Sequence, residues 1–339
     1  MTRLAIDGGP PVRRTLLDHR RGANRLGAEE RAALLAVLDS KSLFRYYGPD
    51  PQHSVAGFEG AVEALLGLPH ALATSSGTAA LIAGLAALGV GPGDEVVVPA
   101  VTFIATANAV VVSGAVPIFC DVDRTLGLDP DHLTTLINER TAAVLPVHLE
   151  NVVCEMAPLL AIAERHGIPV LEDACQAMGA TYHGTPAGAF GAMGAFSLQL
   201  EKNITAGEGG VLVTRDPDLH ARAVRYTDQG GQFVTAHGGA RGDAQLAFVG
   251  ENLRMAELAG AVAGVQLRRL PGLLADMRAA KRKLVESVGE RPGLVPRTVP
   301  DPDGDGGSSV IWFGPDAGTA ARFVSALQAE GIPSAQLYD

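Results

Sequence analysis

Between residues 54 and 172 the chain alternates short apolar runs with segments of helical spacing, and this alternation restricts the fold more than any other feature. Phe58–Leu66 has helical spacing and Ala71–Thr74 reads as a strand. The pattern repeats as helix Thr78–Leu88, strand Glu95–Pro99, helix Ile104–Ser113, strand Val116–Val122, helix Pro130–Asn138, strand Ala143–Val147, helix Met156–His166 and strand Pro169–Glu172. Short apolar strands between amphipathic helices predict an α/β fold, with a mostly parallel sheet covered on both faces. Such sheets bind ligands at the carboxyl ends of their strands, so the residues there are the ones to question.

Around this block lie simpler segments. Leu4–Arg13 reads as extended, Glu29–Leu38 as helix, and 41–51 as a loop holding Phe44, Arg45, Tyr46 and Tyr47, which either lines a pocket or covers a core. Residues 216–289 read as mainly helical, with Ala256–Leu267 and Leu273–Val288 the clearest runs. A Pro/Asp/Gly stretch at 300–307 separates them from a strand, Ser309–Phe313, and a helix, Ala317–Glu330. The expected organisation is an N-terminal segment over 1–53, a large domain over 54–270 and a small C-terminal domain over 271–339.

A net charge of −10 argues against nucleic acid or an anionic membrane as partner. No apolar stretch approaches the ~20 residues of a membrane span, and the N-terminus has no apolar signal core. Cys120, Cys154 and Cys175 lack metal-ligand spacing and read as reduced thiols, so a cytoplasmic protein without a metal is expected.

Four strand ends carry groups with chemical potential. Lys202 sits in a Gly-rich polar turn between strand-like runs Gly194–Leu198 and Gly210–Thr214. Partly apolar walls there favour a nucleophilic amine, although an isolated lysine in such a turn reads first as a surface residue, and only the rest of the chain shifts that balance. Ser76-Gly77-Thr78 follows a strand and opens a helix, a ready anion site whose plainer reading is an ordinary N-cap. Phe103 follows a strand and opens another helix; it either stacks on a planar ring or fills a core. Glu172-Asp173 ends an apolar strand, and only one of the two can face a given pocket. That carboxylate needs a partner; no second acid or histidine cluster supports a metal, and a protonated ring nitrogen is the alternative. An amine nucleophile, a phosphate cradle, a ring-covering aromatic and a carboxylate for a ring N–H together meet the requirements of pyridoxal 5'-phosphate (PLP).

The stretches that carry these groups also resemble a known family. Leu4–Val12, Ser76-Gly77-Thr78, Glu172-Asp173-Ala174-Cys175-Gln176-Ala177, Lys202–Gly210 and Asn252–Glu257 are similar to the DegT/DnrJ/EryC1/StrS aminotransferases, PLP enzymes acting mainly on keto sugars and cyclitols. The resemblance implies a type I (aspartate) aminotransferase fold, with a large three-layer α/β/α domain and a homodimer whose active sites are shared. It implies Lys202 as the covalent anchor and proton carrier, Asp173 on the ring nitrogen, Gln176 near the ring hydroxyl and Phe103 over the ring. Ser76, Gly77, Thr78 and Ser197 would hold the phosphate, and Asn252 would reach it from the partner subunit or merely cap its own chain. Relatives usually continue past the position of Tyr338, so the small domain is expected to be shortened. The strand end at His148 lacks a glycine usual in the family; His148 either contacts substrate or satisfies a strand-end hydrogen bond, and with Tyr47 it is a candidate substrate contact. Glu201 either pairs with a base of the partner or faces solvent.

The expected activity is transfer of an amino group from glutamate or glutamine to a keto sugar or keto cyclitol in natural-product biosynthesis. The Gly-Gly-Pro-Pro opening resembles the cyclitol branch. The alternatives are a PLP-dependent dehydratase or lyase, whose relatives replace the lysine by histidine, and a catalytically silent PLP-fold regulator.

Overall fold

Residues 3–15, 21–230 and 249–337 are described by the computed structural model. The expected helices over part of 216–289 that fall at 231–248 lie outside the described residues. The apolar runs become β1 (His70–Thr74), β2 (Glu95–Pro99), β3 (Val116–Cys120), β4 (Thr141–Val144) and β5 (Leu171–Asp173). A two-residue pair, β6 (Thr181–Tyr182) and β7 (Thr185–Pro186), then precedes β8 (Met193–Ser197) and β9 (Gly210–Thr214). The order β1-β9-β8-β5 continues into β4-β2-β3 through parallel bridges Val144–Val170 and Val147–Asp173. Only β9 runs against the others, because it returns directly from β8 as a hairpin. The carboxyl ends of β1, β2, β5 and β8 therefore share one edge, as the alternation predicted.

Side-chain alternation splits the core into two layers. Val97, Val211 and Val213 face one cluster with Phe58, Val62, Leu133, Leu159 and Phe196. Val96, Val98 and Leu212 face the other with Leu81, Leu85, Val110 and Val224. Helices α1 (Ala28–Ser40), α2 (Ser54–Leu66), α3 (Gly77–Leu88), α4 (Ala105–Val112), α5 (Pro130–Leu136) and α6 (Met156–His166) close within a residue or two of their expected ends or extend them, and α7 (Pro217–Thr227) falls in the stretch read as mainly helical. Among the described residues no helix is long and apolar enough to cross a membrane.

Three segments depart from expectation. The two helical runs around Pro271 are one helix, α8 (Glu257–Val288), which also crosses the expected 270/271 domain boundary. Buried Leu267, Leu270, Leu273 and Leu274 on both sides of the proline hold it in one piece against the lost hydrogen bond. Its N-terminal half packs on α2 so closely that a Cβ at Gly260 would lie 2.7 Å from the Val55 nitrogen. Leu4–Arg13 is not extended throughout: Ala5–Asp7 forms a 3-10 turn, and the Glu330 carboxylate accepts the Ala5 and Val12 N–H groups at 2.7 and 2.9 Å. The C-terminal strand is short, β11 (Trp312–Phe313), pairing with β10 (Val295–Pro296) ahead of α9 (Ala317–Ala329).

Candidate active site

A cavity of about 630 Å³ opens at the shared strand edge. Ser76, Gly77 and Thr78 line it from the end of β1, Thr102 and Phe103 from the end of β2, and Asp173, Cys175 and Gln176 from the end of β5. Ser197 and Lys202 line it from the β8–β9 hairpin. The sequence holds four lysines, and of these Lys202 alone is on the cavity wall.

Each group is held by local structure. Ser76 caps α3 by accepting the Ala79 N–H at 3.0 Å, and the N–H groups of the first helical turn have no partner within the helix. Position 77 needs glycine, since a Cβ there would meet the Ser197 Cβ at 2.7 Å and the Cys175 sulfur at 2.9 Å. The N-terminus of α3 is thereby pressed against β8, with its positive end toward the cavity. The Lys202 turn is tied down by its own backbone: its N–H donates to Gln199 O at 2.9 Å, and its carbonyl accepts the Gly22 N–H at 3.1 Å. The next residue, Asn203, exchanges two amide hydrogen bonds with buried Asn151 at 2.8 and 3.0 Å.

Adjacent Glu172 and Asp173 separate to opposite faces, as strand geometry requires. Asp173 turns to the cavity, where its Oδ2 accepts the Thr106 hydroxyl at 2.7 Å and its Oδ1 the Cys175 N–H at 3.1 Å. Burial, with the Asp173 carboxylate beside it, pushes the Cys175 thiol well up, so it stays neutral. Gln176 Oε1 accepts the Glu150 N–H at 2.9 Å, and Arg21 reaches Glu150 at 3.4 Å on the cavity rim. Phe103 lines the cavity with 66 % of its surface exposed.

Three candidates do not line the cavity of their own chain. His148 is fully buried, with Nε2 2.9 Å from Glu172 Oε2, so of its two expected roles the strand-end hydrogen bond is the one its position provides. Tyr47 is exposed and packs edge-on against Phe44 at 4.8 Å. Asn252 is exposed and bridges Asp228, while its neighbour Leu253 accepts the Ser75 N–H beside the end of β1. Conversely Thr102, Cys175 and the Arg21–Glu150 pair line the cavity, Thr106 and Asn151 hold the lining residues Asp173 and Asn203, and none of these was offered as a site residue from the sequence. Thr102 precedes α4 and Thr106 lies in its first turn, so no helical spacing in the sequence pointed to their contact.

The strand order and the placement of the cavity define the type I aminotransferase fold. Within that class the chain belongs to the DegT/DnrJ/EryC1/StrS aminotransferase family, which it matches over residues 24–339. It is 40% identical over 257 residues to GDP-perosamine synthase of Caulobacter vibrioides, covering 75% of this chain and 65% of that protein. It is 40% identical over 236 residues to L-glutamine:2-deoxy-scyllo-inosose aminotransferase of Streptomyces lividus, covering 68% and 55%. The chain thus spans less than two thirds of the length of either relative. The structure of DesI in the presence of its TDP-sugar product superposes with a TM-score of 0.84 at 32% identity, covering 99% of this chain and 83% of that one.

Proposed function

We propose that the chain is a PLP-dependent aminotransferase that moves an amino group from glutamate or glutamine to a keto sugar or keto cyclitol. The observation that carries this reading is the presence of Lys202, Asp173 and the N-terminus of α3 on one cavity wall. The residues present fit the cofactor: a helix N-terminus with Ser76, Gly77, Thr78 and Ser197 for a dianionic phosphate, and a buried carboxylate for a ring nitrogen. When bound, PLP supplies an aldehyde that joins amines covalently and a protonated ring that withdraws electrons from the substrate carbon.

The chain's own residues then have distinct tasks. Lys202 would anchor the cofactor through its amine and, as a free amine, would hold the proton that moves at the reacting carbon. Asp173 holds the proton on the ring nitrogen. Phe103 would cover one ring face, and Gln176 would lie near the ring hydroxyl. The protein works as a homodimer, in which Asn252 reaches the phosphate of the partner's site; exposed Ile104, Val111, Val112 and Phe119 offer apolar surface for that contact.

The lining also bears on the acceptor. Glu150, Asp173, Glu201 and Glu208 outnumber Arg21 and Lys202, and a bound phosphate adds further negative charge. That balance favours a neutral keto cyclitol over a nucleotide-linked keto sugar. Nitrogen-labelled glutamine and glutamate offered with both acceptor classes test this. Label is expected in the cyclitol amine; loss of water without nitrogen transfer would contradict an aminotransferase.

The phosphate cradle gives a separate prediction. Gly77→Ala must push back β8 or the Cys175 side chain, and such overpacking costs about 1–3 kcal/mol. The PLP dissociation constant, read by fluorescence titration, is expected to rise on the order of ten-fold.

A further inference from the structure

We propose that Thr106, backed by Thr102, is a positioning residue that fixes the Asp173 carboxylate for the cofactor's ring nitrogen; this rests on the reading of Asp173 given above. Thr106 Oγ1 is 2.7 Å from Asp173 Oδ2, and Thr102 Oγ1 is 2.6 Å from Thr106 Oγ1. A hydroxyl has one proton, and an ionised carboxylate only accepts. The Thr106 proton therefore goes to Asp173, and the short contact behind it requires Thr102 to donate to Thr106. The hydrogen bonds run one way, from Thr102 through Thr106 to Asp173.

Both threonines are buried, Thr106 to 1% and Thr102 to 9% exposure, so water does not replace either bond at no cost. With the Cys175 N–H on Oδ1, each carboxylate oxygen has a protein donor and the carboxylate plane cannot rotate freely. Each oxygen keeps accepting capacity for the cavity, which Asp173 lines. Thr102 and Thr106 also flank Phe103. One short segment at the end of β2 thus places the ring's cover and, through hydroxyls, the carboxylate at its nitrogen. A pair of threonines whose only duty was to start α4 would not need to meet a carboxylate 67 residues away.

The test uses the full chain loaded with PLP labelled at its ring nitrogen. Nitrogen NMR reads the proton on the ring, and titration gives the PLP dissociation constant. Thr106→Val keeps the shape and deletes the hydroxyl; it is expected to shift the ring-nitrogen resonance toward the unprotonated form and lower kcat on the order of ten-fold, with KM within about three-fold. Thr106→Ser is expected to restore both, and Thr102→Val to give a smaller shift in the same direction. A Thr106→Val resonance identical to wild type, or an equal loss in Thr106→Ser, would overturn the proposal. Asp173→Asn separates the two failures. If it moves the resonance and Thr106→Val does not, the positioning role fails alone; if Asp173→Asn leaves the resonance unchanged, Asp173 is not the partner and both fail.

Discussion

Lys202→Ala is expected to lower amino transfer on the order of 10⁴-fold, the upper end of what a positioned acid–base group contributes, because on the proposed reading the same amine would also supply the covalent anchor. The loss should be chemical and not structural. The backbone of the Lys202 turn is fixed by its bonds to Gln199 and Gly22, and the turn is clamped by the Asn203–Asn151 amide pair, none of which uses the lysine side chain. The melting temperature of the cofactor-free variant should therefore stay close to wild type. Lys202→Arg should be no better, since a guanidinium does not give up its proton to act as nucleophile or base. Steady-state turnover beside a thermal melt checks this; activity within ten-fold of wild type would place the anchoring amine elsewhere.

The second large effect lies behind the site. Glu172 is fully buried on the face of β5 opposite Asp173. Its two oxygens accept the N–H groups of Gly188, Phe190 and Gly191, each at 2.7 Å, and Oε2 also meets His148. Burial alone would push the His148 pKa down; the Cys154 sulfur, 3.5 Å from Nδ1, and the Glu172 carboxylate outweigh it and raise the pKa from 6.5 to about 10. The folded value lies above the unfolded one. The stabilisation is therefore complete below pH 6.5 and is lost as pH rises toward about 10. Glu172→Gln breaks a buried network, taking the carboxylate from His148 and from three backbone N–H groups, which costs about 3–5 kcal/mol. The expected drop in melting temperature is on the order of 10 °C. In His148→Gln the fall in melting temperature between neutral and alkaline pH should flatten relative to wild type. An alkaline limb of unchanged slope would mean that another group carries it.

The sequence was most informative where a single period or a single strand end decides the outcome. The alternation from Phe58 to Glu172 placed the strands, and the rule that strand ends meet at one edge brought Ser76, Gly77, Thr78, Phe103, Asp173, Gln176, Ser197 and Lys202 to one cavity. It also separated Glu172 from Asp173 without saying what Glu172 would meet. The partners of these groups were not legible, because they depend on sheet register across long sequence distances. Asn151 meets Asn203, and Thr106 meets Asp173, only because β2, β4, β5 and β8 are neighbours in one order. Tyr47 was left open for a related reason: an aromatic in a loop gives no sign of whether its ring turns to the cavity of its own chain or, as here, to Phe44. The runs read at Ala256–Leu267 and Leu273–Val288 are one helix across Pro271, because burial on both sides of the proline holds it together.

On the proposed reading, one amine in this chain holds the cofactor. Four lysines make it directly measurable: Lys41, Lys202, Lys281 and Lys283. Borohydride reduction of the PLP-loaded chain, followed by digestion and peptide mass spectrometry, should put the pyridoxyl adduct on the peptide containing Lys202 and on no other. Adduct on Lys41, Lys281 or Lys283, or no adduct at all, would contradict it.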